Sequence, residues 1–168
     1  KITEDGVRFQ SNIDGSYHMF TPENVVQTQT SFNSDIQMQL DVCTGYDEPR
    51  KNAEKALRIT SDWLVRAKKE WEAQREQGYE GMLFPIVQGH FSEDLRKQSA
   101  EFVASLDMPG IAIGGLSVGE PHDEFVHFMN YTCESLPEDK PKYVMGIGTP
   151  EYILDAVQSG VDMFDCVL

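Results

Sequence analysis

Five short apolar runs in this sequence each end on a residue that could do chemistry. IQMQL ends at Asp41, LFPIV at Gln88-Gly89, GIAI at Gly114-Gly115-Leu116, YVM at Gly146 and VDMF at Asp165. A carboxylate can act as a nucleophile or accept the N–H groups of a planar ring, and a Gln amide can donate or accept. Adjacent glycines let a flat ligand lie against the backbone and bond to its N–H and C=O groups. If these run ends meet, they form a mouth suited to a small, planar, hydrogen-bonding ligand. The remaining reactive types carry less. His18, His90, His122 and His127 show no metal-ligand spacing, and Cys43, Cys133 and Cys166 are too widely spaced for a zinc pattern or a disulfide framework. The cysteines read as reduced thiols of a cytoplasmic protein, with Cys43 and Cys166 suited to packing.

The run ends can meet only if the elements between them repeat, and they do. Thr21-Pro22-Glu23 has the N-cap, first-turn Pro and acid of a helix start, which predicts a helix to about Asn33. Ile36, Met38 and Leu40 alternate as the apolar positions of a strand over 36–41. Ala53, Leu57, Thr60, Leu64, Ala67 and Trp71 form the buried stripe of a long helix from about Glu48 to Gln77, stopped by Gly78. Strands at 82–87, 111–116, 143–147 and 162–167 then alternate with helices begun at Ser92, Pro121 and Thr149-Pro150-Glu151. The first of these helices packs Leu95, Phe102, Val103 and Leu106. The second packs Phe125, Phe128, Met129, Thr132 and Leu136, and the third ends near Gly160.

Continuous apolar strands separated by single helices mean parallel strands covered on both faces, in a doubly wound sheet or a (β/α)8 barrel. No G-x-G-x-x-G follows a first strand, which disfavours the dinucleotide-binding sheet. A complete barrel needs eight strands and about 250 residues. The expected fold is therefore α/β, the central part of a (β/α)8 TIM barrel truncated at both ends. Residues 1–168 form one partial catalytic barrel of a longer protein, without a second domain. Barrel chemistry sits where strands end and βα loops begin, which is where the five run ends fall.

The composition is ordinary for a globular chain: 168 residues, 40% hydrophobic, with 13 glycines. No stretch approaches the roughly 18 apolar residues of a membrane span. The first residues, KITEDGVRFQ, hold no apolar signal core and no initiator Met, and read as the interior of a longer protein. Lys and Arg total 14 against 28 Asp and Glu, a net charge of −14. Such a surface repels polyanions, so this stretch alone is not expected to grip nucleic acid.

The same residues carry a family resemblance. SDIQMQLDVCT, LFPIVQG, GIAIGGLSVGEP, YVMGIGTP and GVDMFDCVL resemble, in order and at similar spacing, the successive blocks of the tRNA-guanine transglycosylases (queuine tRNA-ribosyltransferases) of bacterial type. GVRFQSNIDGSYHMFTPE resembles the family's opening segment, so the resemblance covers essentially the whole chain. It implies a (β/α)8 pentosyltransferase of the queuosine pathway that exchanges guanine at the wobble position of a GUN anticodon for a 7-deazaguanine. Asp165 would attack the ribose anomeric carbon, expel guanine and hold the RNA as a covalent glycosyl-enzyme until the incoming base displaces it, in the manner of a retaining glycosidase. The target nucleotide must leave its stack to reach the pocket.

By the same resemblance, Asp41 would accept the ring N–H and exocyclic amine of the base. Gln88 and the Gly115 N–H would bind its carbonyl oxygen, and the Leu116 C=O its aminomethyl substituent. Met145 would pack on the ring face and Glu120 would steady the GGL backbone. Cys43 paired with Val118 fits the bacterial type, which implies 7-aminomethyl-7-deazaguanine rather than queuine as the incoming base. The resemblance also implies a homodimer acting on tRNA away from membranes, and a structural zinc whose three Cys and one His would follow Leu168. The family's upstream acid/base would precede Lys1. Two positions depart from the pattern: Val42 stands where the family has an acid, and Gly45 where it has Pro. With half a site, this chain by itself is expected to be inactive. Two other readings stay open: a non-catalytic subunit or inert fragment that keeps only the base pocket, and an unrelated barrel enzyme using two carboxylates on a small metabolite.

Overall fold

The computed structural model describes residues 1–167. It begins with an antiparallel hairpin, β1 (Val7–Gln10) and β2 (Tyr17–Phe20), in which Val7 lies opposite Phe20. The hairpin leaves only a faint mark on the sequence: Val7 and Phe9 alternate with Arg8 and Gln10 in β1, but over four residues only, and β2 is solvent-facing throughout. Helix α1 (Pro22–Ser31) follows, and its start is a reciprocal cap. The Thr21 Oγ1 accepts from the Asn24 N–H at 3.2 Å, and the Asn24 Oδ1 accepts from the Thr21 N–H at 2.8 Å.

Strand β3 (Ile36–Met38) corrects one expectation. Its alternation is real, but the more deeply buried face is the polar one: Gln37 is 0% and Gln39 4% exposed, while Ile36, Met38 and Leu40 are half-buried. Each Gln is buried because it finds a partner. Gln37 Nε2 donates to Thr30 Oγ1 at 2.8 Å, and Gln39 Nε2 donates to the Thr60 carbonyl at 3.2 Å.

Helix α2 (Arg50–Glu76) buries the whole expected stripe and adds Ala56, Ile59 and Trp63. Trp63 is fully buried and its Nε1 donates to the Glu4 carbonyl at 2.8 Å, tying the first residues of the chain to the helix. Replacing Trp63 by Ala should therefore lower stability by about 3–5 kcal/mol in equilibrium denaturant unfolding. A loss within 1 kcal/mol would show that the first residues do not hold this contact.

The run expected as a single strand at 82–87 is two, β4 (Met82–Phe84) and β5 (Ile86–Val87), because Pro85 has no N–H to continue a ladder. The side chain of Gln39 fills in there, its Oε1 accepting the Ile86 N–H at 3.2 Å. Then come α3 (Glu93–Ser105), β6 (Ile111–Ile113), α4 (His122–Glu134), β7 (Lys142–Val144), α5 (Pro150–Gln158) and β8 (Met163–Phe164). Each strand is shorter than its apolar run. Residues 114–116 and 145–147 leave extended structure, with Gly115 at φ +69° and Gly146 at φ +74°, and become loop.

β3 pairs with β4, and β5, β6, β7 and β8 pair in sequence order, all in parallel. The order never reverses, as it must at the switch point of a doubly wound sheet. Among the described residues β3 and β8 each pair on one side only. The helices pack one face of the strands through a core that includes Val87, Val103, Ile111, Ile113, Phe125, Met129 and Val144. The other face carries a second cluster, in which Phe84, Ile86 and Ala112 pack with Ile36, Met38, Tyr143, Met145 and Met163. Side chains of β3 and β8 line one groove of about 330 Å³ with Tyr143 and Asp165, so the row of strands is curled toward its own inner face.

Candidate active site

The C-terminal ends of the parallel strands gather most of the residues singled out by type. Asp41 follows β3, and its loop is pinned to α2 where the Val42 N–H donates to Thr60 Oγ1 at 2.9 Å. The Asp41 carboxylate accepts Gln88 Nε2 at 2.7 Å, joining the ends of two adjacent strand positions. Burial pushes the Asp41 pKa above the ordinary carboxylate value, and the bond from Gln88 opposes this. Gln88 is 3% exposed, and its backbone N–H donates to Ser99 Oγ at 3.1 Å.

Beside this pair runs the Gly114-Gly115-Leu116 backbone. A Cβ at Gly115 would stand 2.3 Å from Gln88 Oε1, so only glycine admits the Gln amide this close. Leu116 is buried at 4% exposure. Farther along the loop the Glu120 carboxylate accepts the N–H groups of Ser117 and Val118, the latter at 2.7 Å. Cys43 faces the same cluster. Burial of its sulfur and the Asp41 charge push the thiol pKa up, against weaker contributions from Arg96, Gln88 and the Gly115 N–H. It is therefore a thiol and not a thiolate nucleophile at neutral pH.

Asp165 follows β8 and lines the groove together with Tyr143 and the side chains of β3 and β8. Its Oδ1 accepts the Gly146 N–H at 2.8 Å and the Tyr143 hydroxyl at 2.7 Å, and these two bonds hold its pKa below the ordinary value. Tyr143 moves the other way: burial, then the Asp165 carboxylate, push it up to about 12, so it remains a donor. Met145 is half-buried on the inner face, in the cluster that lines the groove.

Two residues absent from the sequence reading belong to this arrangement. Tyr143 holds Asp165, and Arg96 lies fully buried beneath the glycine loop with three backbone carbonyls as partners. A signal for Arg96 was present: it shares the stripe of α3 with Ser99, Ala100 and Val103, a lone cation on a buried face. The Asp41 carboxylate and the Gln88 amide beside the buried glycine loop can accept and donate around a flat ring, and the ionised Asp165 can attack. Among the described residues no three His, Cys, Asp or Glu side chains converge as metal ligands, so a zinc ion does not fit here. No described helix is long and apolar enough to cross a membrane.

Comparison with known proteins gives one answer along the whole chain. The family model described as queuine tRNA-ribosyltransferase matches residues 1–168. The queuine tRNA-ribosyltransferase of Treponema denticola is 54% identical over 168 residues, all of this chain and 44% of that protein. That of Borrelia recurrentis is 52% identical over 167 residues, 99% of this chain and 44% of that protein. That of Caldanaerobacter subterraneus subsp. tengcongensis is 49% identical over 168 residues, all of this chain and 44% of that protein. The chain thus spans less than half the length of these relatives, and its strand ends, with Asp41, Gln88, the glycine loop and Asp165, all lie inside the matched region. The chain belongs to the queuine tRNA-ribosyltransferase family.

Proposed function

We propose that the protein containing this chain is a tRNA-guanine transglycosylase, and that residues 1–168 form part of its (β/α)8 catalytic barrel. The observation that carries the proposal is the hydrogen-bonded Asp41–Gln88 pair beside the Gly115 backbone; Asp165, kept ionised by two donors, stands at the end of β8 on the groove lined by Ile36 and Met38 of β3, the strand that leads to Asp41. Guanine presents two kinds of donor, a ring N–H and an exocyclic amine, next to one carbonyl acceptor. Asp41 meets the donors, and Gln88 Nε2 with the Gly115 N–H meets the acceptor once Gln88 exchanges its bond to Asp41 for one to the base. Leu116 offers its C=O to the aminomethyl group of 7-aminomethyl-7-deazaguanine, and Met145 packs on the ring.

In the reaction, an Asp165 oxygen attacks the ribose anomeric carbon and forms the C–O bond as the bond to guanine breaks. The departing base takes the electron pair and then a proton. The incoming base attacks the same carbon, loses its proton and releases the carboxylate. Glu120 and Cys43 support the pocket without joining these steps. A stretch of net charge −14 is a poor surface for a polyanion, which supports assigning the contacts to a GUN-anticodon tRNA to the rest of the protein. The homodimer, the cytoplasmic setting and the zinc belong to the same reading, which rests on the family for them; no step passes through the metal.

The test is incorporation of labelled guanine into tRNA by the full-length protein. Incorporation supports exchange. Its absence moves a non-catalytic subunit or a different barrel chemistry ahead. Residues 1–168 assayed alone should incorporate nothing. Tyr143→Phe in the full-length protein removes one of two donors to Asp165, so the acid limb of kcat at saturating base should move to higher pH. An unmoved limb would separate Tyr143 from the nucleophile.

A further inference from the structure

Arg96 is a cation with no exposed surface, held by three carbonyls rather than by a carboxylate. Its Nη1 donates to the Gly114 oxygen at 2.7 Å, Nη2 to the Gly115 oxygen at 2.8 Å and Nε to the His90 oxygen at 2.8 Å. Burial lowers its pKa to about 10, so it stays charged at neutral pH. A buried charge without an ion-pair partner is costly and is tolerated when its hydrogen bonds are satisfied. Here they are spent on two successive peptides of the glycine loop and on His90, a non-glycine residue at φ +55°.

The geometry of the peptide group gives this arrangement a consequence. Among the described residues no peptide bond is cis, and in a trans peptide the C=O and N–H point in opposite directions. The Gly114 carbonyl and the Gly115 N–H belong to one peptide. With the oxygen drawn down onto Arg96, the N–H must face away from the buried guanidinium, on the side of Cys43 and Gln88. A cation on the carbonyl also polarises the peptide and strengthens its N–H as a donor.

We propose that Arg96 is a positioning residue of the base pocket, aiming and polarising the Gly115 N–H toward the carbonyl oxygen of a bound guanine-type base. The proposal rests on the function given above and adds to it the group that sets the loop's peptide orientation. Glu120 anchors the far end of the same loop through the Ser117 and Val118 N–H groups, so a buried cation on carbonyls and an anion on amides hold it from opposite ends.

The test uses the full-length protein and its Arg96→Lys form, which keeps the charge but cannot span three carbonyls with a planar fork. Binding of guanine and of 6-thioguanine, whose sulfur is the weaker acceptor, is measured by calorimetry alongside exchange kinetics and thermal melting. Arg96→Lys should lose about 100-fold in kcat/KM for the base, with KM for tRNA unchanged, and its preference for guanine over 6-thioguanine should shrink. A fold-only role would leave that preference intact in the folded fraction, and that result overturns the proposal. If Arg96→Lys does not fold, the wild-type protein labelled with 15N-glycine decides: guanine should move the Gly115 amide proton downfield, and an unmoved signal overturns the proposal. Wild-type protein that binds no guanine would instead sink the function reading itself.

Discussion

Replacing Asp165 by Asn in the full-length protein should reduce base exchange by about 10⁴-fold or more while leaving the fold intact. The contrast follows from how Asp165 is held. Both of its bonds, from the Tyr143 hydroxyl and the Gly146 N–H, are accepted by one oxygen, Oδ1. An Asn can present its own Oδ1 to the same two donors, so both bonds persist at an exposed position and only their charge-assisted part is lost. What it lacks is the anionic second oxygen able to bond to carbon. Melting of Asp165→Asn should therefore match the wild type. A covalent RNA adduct trapped on a denaturing gel with wild-type protein should be absent from the variant. An Asp165→Asn protein that still exchanges guanine would remove Asp165 from the chemistry and with it the covalent route. Because its two donors lower the Asp165 pKa, the nucleophile stays ionised below the ordinary Asp range, and kcat at saturating base should hold well into mild acid.

Asp41→Asn is expected to cost about 10²- to 10³-fold in affinity for the base, with a smaller effect on tRNA binding. Guanine brings two donors to this position, and an Asn amide turned the wrong way opposes them with a donor of its own. Turned the right way, it still replaces a charged acceptor with a neutral one. The pH dependence has a definite sign. Burial raises the Asp41 pKa in the folded protein, so its contribution to stability is present below the ordinary Asp pKa and is lost as pH rises through the raised value. Base binding needs the ionised form, so it should release a proton and weaken as pH falls through that same value. Calorimetry of guanine binding in buffers of different ionisation enthalpy would reveal the proton. Binding that is independent of pH across the carboxylate range would separate Asp41 from the base.

The two expected results differ because the surroundings of the two carboxylates differ. Asp165 is exposed and held by two donors that favour its charge, which suits a group that must be ionised before substrate arrives. Asp41 is sunk beside Gln88, where its charge is disfavoured until a ligand supplies donors. That difference is invisible in the letters of the sequence, where both are an Asp at the end of an apolar run.

The order of elements, and the places where their ends carry polar groups, follow from local patterns of residues. The α2 stripe from Ala53 to Trp71, the Thr21 cap and the alternation of short apolar runs with helices all have local causes, since periods of two and 3.6 residues and capping geometry act within a few positions. The family resemblance then named roles for those ends. Tertiary structure alone decided which groups meet. Gln39 is buried beside β3 because the Thr60 carbonyl and the Ile86 N–H satisfy its amide, while Gln37 finds Thr30 on α1 for its Nε2 and keeps an unpartnered Oε1. Gln88 meets Asp41 across 47 residues, and Tyr143 meets Asp165 across 22. Arg96 reads locally as a misplaced charge on an apolar stripe, and only the folded loop supplies the three carbonyls that make its burial stable. A polar residue's environment is set by partners distant in sequence, so its pKa and its role emerge only when the strands bring those partners together.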